Sequence, residues 1–128
     1  MKKLTPVLIV EKIEPCLPFW IDRLGFQKTV EVPDEGKLGF VILTRGNVEI
    51  MYQSRTSVAK DVPSLAVPSG PSSTGLYIEV EKLEPVVQAL KGLEPVIPKR
   101  KTFYGATEIG VREPGGSVVV FAEPGTAE

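Results

Sequence analysis

A six-residue stretch occurs twice in this chain, and the second copy dictates most of what the chain can fold into. Val10-Glu11-Lys12-Ile13-Glu14-Pro15 returns as Val80-Glu81-Lys82-Leu83-Glu84-Pro85, with only Ile13 and Leu83 differing. An internal repeat fixes architecture before any single residue does. Each copy follows a strand-like run, residues 6–10 and 76–80. Each also precedes apolar residues at helical spacing: Leu17, Trp20, Ile21 and Leu24, then Val86, Val87, Leu90 and Leu93. Pro15 and Pro85 suit helix starts, because the first helical position needs no N–H partner. Gly25 and Gly92 suit helix ends. Pro18 lies deep enough in the first stretch to delay or bend that helix. Three strand candidates follow each helix: 27–32, 39–44 and 48–53, then 95–98, 107–112 and 117–122. Turn-forming sequences at 33–36, 45–47 and 113–116 separate them. The pattern is βαβββ twice, an α+β fold. Residues 1–53 form a first module and 75–128 a second. Residues 54–74, rich in Ser, Pro and Val and without a sustained period, read either as a passive linker or as a flap over a ligand.

Composition narrows the function classes. The net charge is −1, from 15 basic and 16 acidic side chains, so the clustered positive excess expected for nucleic acid or an anionic membrane surface is missing. No apolar run approaches bilayer-spanning length, and the N-terminal residues lack a signal-peptide pattern; a cytoplasmic protein is expected. One cysteine, Cys16, rules out an internal disulfide. The chain has no histidine. The commonest transition-metal ligand and the commonest neutral-pH general base are therefore both missing. Any chemistry must use carboxylates, Lys, Tyr or Cys16. Cys16 lies early in the helix with no imidazole to activate it, and reads as a buried, inert thiol.

Three motifs, taken in order, resemble those of the vicinal oxygen chelate group of glyoxalase, bleomycin-resistance and dioxygenase proteins. Phe19-Trp20-x-x-x-Leu24-Gly25-Phe26 resembles the signature that closes the first helix of such modules. Glu108-x-x-x-x-Glu113-Pro114-x-Gly116 resembles their late turn. Val120-Phe121-Ala122-Glu123-Pro124 is similar to the ending of the antibiotic-binding, metal-free branch. The resemblance covers nearly the whole chain outside 54–74. It implies a curved mixed sheet around a cleft between the modules, helices on the outer face, and a twofold homodimer. Period-two alternation assigns the faces. Leu8, Val10, Val48, Ile50, Tyr52, Leu76, Ile78, Val80, Ile109, Val111, Val119 and Phe121 go toward the helices. Thr5, Val7, Ile9, Glu49, Met51, Gln53, Gly75, Tyr77, Glu79, Glu108, Gly110, Arg112, Val118, Val120 and Ala122 go to the other face. Trp20 and Phe26 belong to the core.

Metal-dependent relatives carry four ligands in the cleft. The resemblance maps those positions onto Thr5, Glu49, Gly75 and Val120, of which only Glu49 is a strong donor. No metal and no cofactor is expected, because a stable site needs several charged or imidazole donors. The opposite-face inventory suits a small-molecule ligand instead: Val7, Met51, Tyr77 and Val120 as apolar and polarisable surface, with Glu49, Glu79, Glu108 and Arg112 as polar contacts. Phe103 and Tyr104, in the loop before the seventh strand, either stand where the resemblance to the antibiotic-binding branch implies an aromatic-Gly pair flanking the ligand, or plug the sheet edge. Glu79 and Glu108 are either ligand contacts or solvated surface charges, and Arg112 either contacts ligand or pairs with Glu108. The leading reading is a non-catalytic protein that sequesters an antibiotic- or toxin-like molecule. The alternative is a metal-independent isomerase, lyase or hydrolase with Glu49 or Glu108 as general base and Tyr77 or Tyr104 as acid. A third reading is a module that binds protein through a sheet edge. The net charge alone does not single out a cationic ligand.

Overall fold

In the computed structural model, which describes residues 1–65 and 74–125, the repeat becomes two four-stranded mixed sheets of identical topology. The chain divides into two compact units, Met1–Gly70 and Pro71–Glu128. The first holds β1 (Val7–Val10), β2 (Gln27–Asp34), β3 (Lys37–Arg45) and β4 (Val48–Ser54), in the order β1-β4-β3-β2. The second holds β5 (Gly75–Glu79), β6 (Ile97–Lys101), β7 (Thr107–Arg112) and β8 (Val118–Glu123), in the order β5-β8-β7-β6. In both, the first strand pairs in parallel with the last and every other pairing is antiparallel. A parallel pair needs a crossover, which the helical segment after β1 or β5 supplies. The α+β class and the doubled βαβββ pattern are as the sequence indicates.

The first crossover is not the regular helix that its apolar spacing suggested. It is a 3-10 turn, Glu14–Cys16, followed by a π-helical stretch, Phe19–Arg23. Pro18 has no N–H to give the Glu14 carbonyl, which accepts instead from Leu17. The changed winding moves the buried stripe. Cys16, Phe19, Trp20 and Leu24 are buried, while Leu17 and Ile21 are only half-buried. Trp20 sits edge-on to Phe19 and to Phe26, with ring centroids 5.0 Å apart in both pairs. Its indole N–H donates to the Tyr52 hydroxyl at 2.8 Å, so the two largest buried side chains of the unit satisfy each other. The Cys16 thiol is buried and points its Sγ at the Lys12 carbonyl, 3.8 Å away. Gly25, with φ of 73°, ends the segment, and the Arg45 guanidinium caps the Leu24 carbonyl at 2.7 Å.

Two further departures have local causes. Residues 55–65, which the sequence places in an irregular connection, form α1 (Arg55–Asp61) and a 3-10 turn (Pro63–Leu65) belonging to the first unit. Ser54 caps α1 by accepting from the Ser57 N–H at 3.2 Å, and Val58 is its buried anchor. Thr56 and Lys60 both donate to the Asp34 carboxylate. The remainder of the expected linker or flap, 66–73, lies outside the described residues. In the second unit the strand expected at 95–98 lies at Ile97–Lys101. Pro98 cannot donate to a ladder; β6 is an edge strand, and its register shifts between Ile97 and Arg100.

The second crossover is a short α-helix, α2 (Glu84–Ala89), whose Val86 is buried along with the flanking Leu83 and Leu90. These residues share the core with Ile109, Val111, Val119 and Phe121. The last residue of β8, Glu123, accepts the Leu83 N–H at 2.7 Å, so the sheet itself caps the helix. At the β7–β8 turn, Glu113 is 2% exposed. Its two carboxylate oxygens take the Gly115 and Ser117 N–H groups, each at 2.6 Å.

Candidate functional site

Each sheet has one face against its crossover and one open face, and the register determines which side chains meet there. In the first unit, Val7, Met51, Ile42 and Val30 form one cross-strand row, and Ile9, Gln53, Phe40 and Val32 the next. The result is a largely apolar strip in which Val7, Val30 and Val32 are exposed. Glu49 stands beyond it, paired across the ladder with Thr44. Its carboxylate accepts from the Thr5 hydroxyl at 3.2 Å and from the Lys3 ammonium at 2.8 Å. The hydrogen bond from Lys3, with a smaller contribution from Thr5, holds the Glu49 carboxyl below the ordinary carboxylate range.

The open face of the second unit is chemically different. Tyr77, Val120, Gly110 and Ile97 form one row. Gly110 lets the Ile97 side chain lie across the backbone: a Cβ there would meet Ile97 atoms at 3.0–3.1 Å. The neighbouring row is Glu79, Ala122, Glu108 and Arg100. Glu108 is only 3% exposed, and Arg100 covers it, with Nε and Nη2 at 3.0 and 2.8 Å from the same carboxylate oxygen. Arg112 does not pair with Glu108. Its Nη1 donates to the Gly116 carbonyl at 2.6 Å, at the far end of β7.

Thr102 and Ala106 close the β6–β7 loop through reciprocal hydrogen bonds. Phe103 and Tyr104 sit at its tip, edge to face with centroids 4.9 Å apart. Gly105 turns the chain at a φ of 91°, and the backbone at Gly125 comes so near that a Cβ there would lie 2.6 Å from the Gly105 carbonyl oxygen. The tip therefore lies against the chain leaving β8. The Tyr77 pKa lies above the ordinary phenol value, first through the hydrogen-bonding influence of the Tyr104 hydroxyl, then through partial burial and the negative charges of Glu108 and Glu79.

The second unit thus brings Tyr77, Tyr104, Phe103, Glu79 and Glu108 into one neighbourhood. Val120 lies in the Tyr77 row, whereas Arg112 is set apart. Val7 and Met51 meet in the first unit, with Glu49 at the edge of their strip. Sequence reasoning missed Arg100 and Lys3, the cations that hold Glu108 and Glu49. Arg100 stands in the basic run Lys99-Arg100-Lys101, and a strand extended past Pro98 would have placed it opposite Glu108.

The four positions to which the sequence resemblance assigns a metal do not suit one here. Thr5 offers a neutral hydroxyl, Gly75 and Val120 offer no side-chain donor, and a lysine ammonium already occupies Glu49. The parallel registers expose a further mismatch. Val7 pairs with Met51 as Tyr77 pairs with Val120, so the repeat makes Met51, not Glu49, the counterpart of Val120. Among the described residues, no three His, Cys, Asp or Glu side chains are arranged to hold a metal ion.

No protein-family model and no curated protein matches the chain. Solved structures do. A glyoxalase/bleomycin resistance protein/dioxygenase from Nocardioides superposes with a TM-score of 0.75 at 14% identity, covering 100% of this chain and 87% of that one. A glyoxalase-related enzyme from Fulvimarina pelagi gives 0.72 at 18% identity, with 96% and 88% covered. A lactoylglutathione lyase from Agrobacterium tumefaciens gives 0.72 at 12% identity, with 96% and 94% covered. The chain therefore has the fold of these glyoxalase/bleomycin resistance/dioxygenase structures. Fold likeness at these identities carries no activity with it. Among the described residues, no helix is long and apolar enough to cross a membrane.

Proposed function

We propose that this protein is a non-catalytic binding protein of the glyoxalase/bleomycin-resistance type, which sequesters an antibiotic- or toxin-like small molecule on the open faces of its sheets. The observation that carries this reading is the aromatic group Tyr77, Tyr104 and Phe103, exposed together beside Glu79, in a chain whose mapped metal-ligand positions hold one strong donor, Glu49. Exposed aromatic clusters flanked by a few polar groups are characteristic of ligand sites. A thermal-shift screen across glycopeptide, aromatic and cationic compounds tests it. At least one class should raise the melting temperature saturably, and Tyr77→Ala should abolish the rise; no stabilisation by any compound overturns the reading. The purified protein should also contain no stoichiometric Zn, Ni, Fe or Mn on elemental analysis. We place it in the cytoplasm as a homodimer. The exposed strip of Val7, Val30 and Val32 is apolar surface that a second copy would cover. Light scattering that returns a monomer mass at tens of micromolar would refute the dimer.

A second reading, a metal-independent isomerase, lyase or hydrolase, draws on the buried carboxylate of Glu108 near the Tyr77 phenol. The surroundings argue against it. Lys3 makes Glu49 a weaker base, Arg100 engages Glu108, and the raised pKa of Tyr77 makes it a weaker acid. Turnover of an α-hydroxycarbonyl or epoxide that Glu108→Gln or Glu49→Gln abolishes would decide for this second reading.

A further inference from the structure

We infer that α1 is a strap on the first unit, which docks and undocks as one piece over a sheet that stays folded, with Asp34 as its latch. This goes beyond the binding reading and does not depend on it.

Three observations carry it. First, α1 has little stability of its own. It is seven residues long, well short of the roughly 12–15 that hold an isolated helix together in water. Thr56, Ser57 and Val58 are poor helix formers. Its first turn has no acidic residue, and Asp61 stands at the end where the helix dipole disfavours a carboxylate. Val58 is its one buried side chain, whereas Thr56, Ala59, Lys60 and Asp61 are exposed. A segment of this kind melts when it leaves its surface, so the helix exists only while it is docked.

Second, the sheet plan does not need it. The second unit has the same strand order and the same pairing, yet among the described residues no helix follows β8. A four-stranded sheet of this topology closes without a strap.

Third, α1 is held by a few fixtures around the end of the β2–β3 hairpin. The Thr56 hydroxyl and the Lys60 ammonium donate to the two Asp34 oxygens, at 3.0 and 2.7 Å. Lys60 also faces Glu35 at 3.6 Å. Gly39 makes the close approach possible: a Cβ there would lie 2.7 Å from the Asp34 Cβ and 3.3 Å from that of Ser57. The Ser57 hydroxyl accepts from the Gln53 amide at 3.1 Å. Gln53 stands in the open-face row with Ile9, Phe40 and Val32, so undocking returns its amide to that face. At the other end of α1, Arg55 meets the exposed Glu11 at 3.3 Å. Apart from Val58, these are polar contacts at a surface, individually weak and readily exchanged for water.

Hydrogen exchange of the full chain, followed amide by amide across a urea series, tests both parts. The α1 amides should exchange at least about 100-fold faster than the β3–β4 ladder, with a shallow urea dependence, because a local opening exposes little surface. Asp34→Asn should raise the α1 rates about fivefold, the size expected for one surface ion pair. Lys60→Met should do nearly as much alone and add little to Asp34→Asn, since both remove the same pair. Equal rates and equal urea slopes for α1 and the β3–β4 ladder in the unaltered chain would show that α1 opens only when the whole unit unfolds, and would overturn the strap. A local opening that Asp34→Asn leaves unchanged, or an additive Lys60→Met, overturns the assignment of Asp34 as latch.

Discussion

The two units share a sheet topology, and the faces turned away from their crossovers carry different chemistry. Matched along the repeat, the positions that face the crossover are apolar in both: Leu8 and Ile78, Val10 and Val80, Ile13 and Leu83, Trp20 and Leu90, Ile50 and Val119, Tyr52 and Phe121. The open-face positions have diverged: Val7 against Tyr77, Ile9 against Glu79, Glu49 against Val118, Gln53 against Ala122. A parallel first-to-last pairing and a helix-backed sheet make strict demands on one side of each strand and few on the other. One side therefore keeps its chemistry through the repeat while the other is free to become an apolar strip in one unit and a surface with exposed aromatic residues in the other.

The sharpest way to break that contrast is to truncate matched positions on the two faces. Leu8→Ala and Phe121→Ala should each cost about 2–5 kcal/mol, since a cavity under the helix is added to lost burial. Tyr77→Ala and Met51→Ala, on the open faces, should leave urea midpoints nearly unchanged while weakening ligand binding. Large losses from the open-face pair would show that those faces hold the fold together after all. A smaller effect is expected from Tyr52→Phe, which keeps the shape and removes the acceptor of the buried Trp20 N–H. About 1–3 kcal/mol should be lost. An unchanged urea midpoint would mean that the Trp20 donor finds another partner.

The smallest expected effect concerns acid. Asp34 and Glu49, both in the first unit, are held below their ordinary values of 3.8 and 4.5, Asp34 by Lys60 and Thr56 and Glu49 by Lys3 and Thr5. Folded pKa values below the unfolded ones stabilise the unit fully above about pH 4.5, and this is lost as pH falls through the folded values. Lys3→Met and Lys60→Met should therefore flatten the fall of melting temperature below pH 4.5 and change it little at pH 7, where such pairs are exposed and screened. Curves parallel to wild type in acid would show that these pairs do not set the response.

Strand positions and their inward faces were legible because period-two alternation and the repeat agreed, as at Leu8, Val10, Ile50 and Tyr52. The departures come from features that carry no period. Pro18 changes the winding of the first crossover, and Pro98 shifts β6 into a bulged edge. Helix α1 has a single buried residue, Val58, and is held by the Ser54 cap and by contacts to Asp34 from far along the chain. The candidate site was readable as an inventory and not as a set of pairings. Arg100 meeting Glu108, Lys3 meeting Glu49, and Tyr104 meeting Tyr77 depend on strand register and on loop closure, which residue types alone do not state.

The first-to-last pairing also governs when each unit can exist during synthesis. Strand β1 finds its parallel partner in β4, and β5 in β8, each roughly 40 residues along the chain. The first sheet has all its strands once Ser54 is made, whereas the second waits for Glu123, whose carboxylate also caps the Leu83 N–H. Until then Leu83, Val86 and Leu90 have no complete sheet to cover them. A nascent chain stalled before residue 118 would carry a finished first unit and a sticky, unclosed second one, the stage at which a chaperone would bind it.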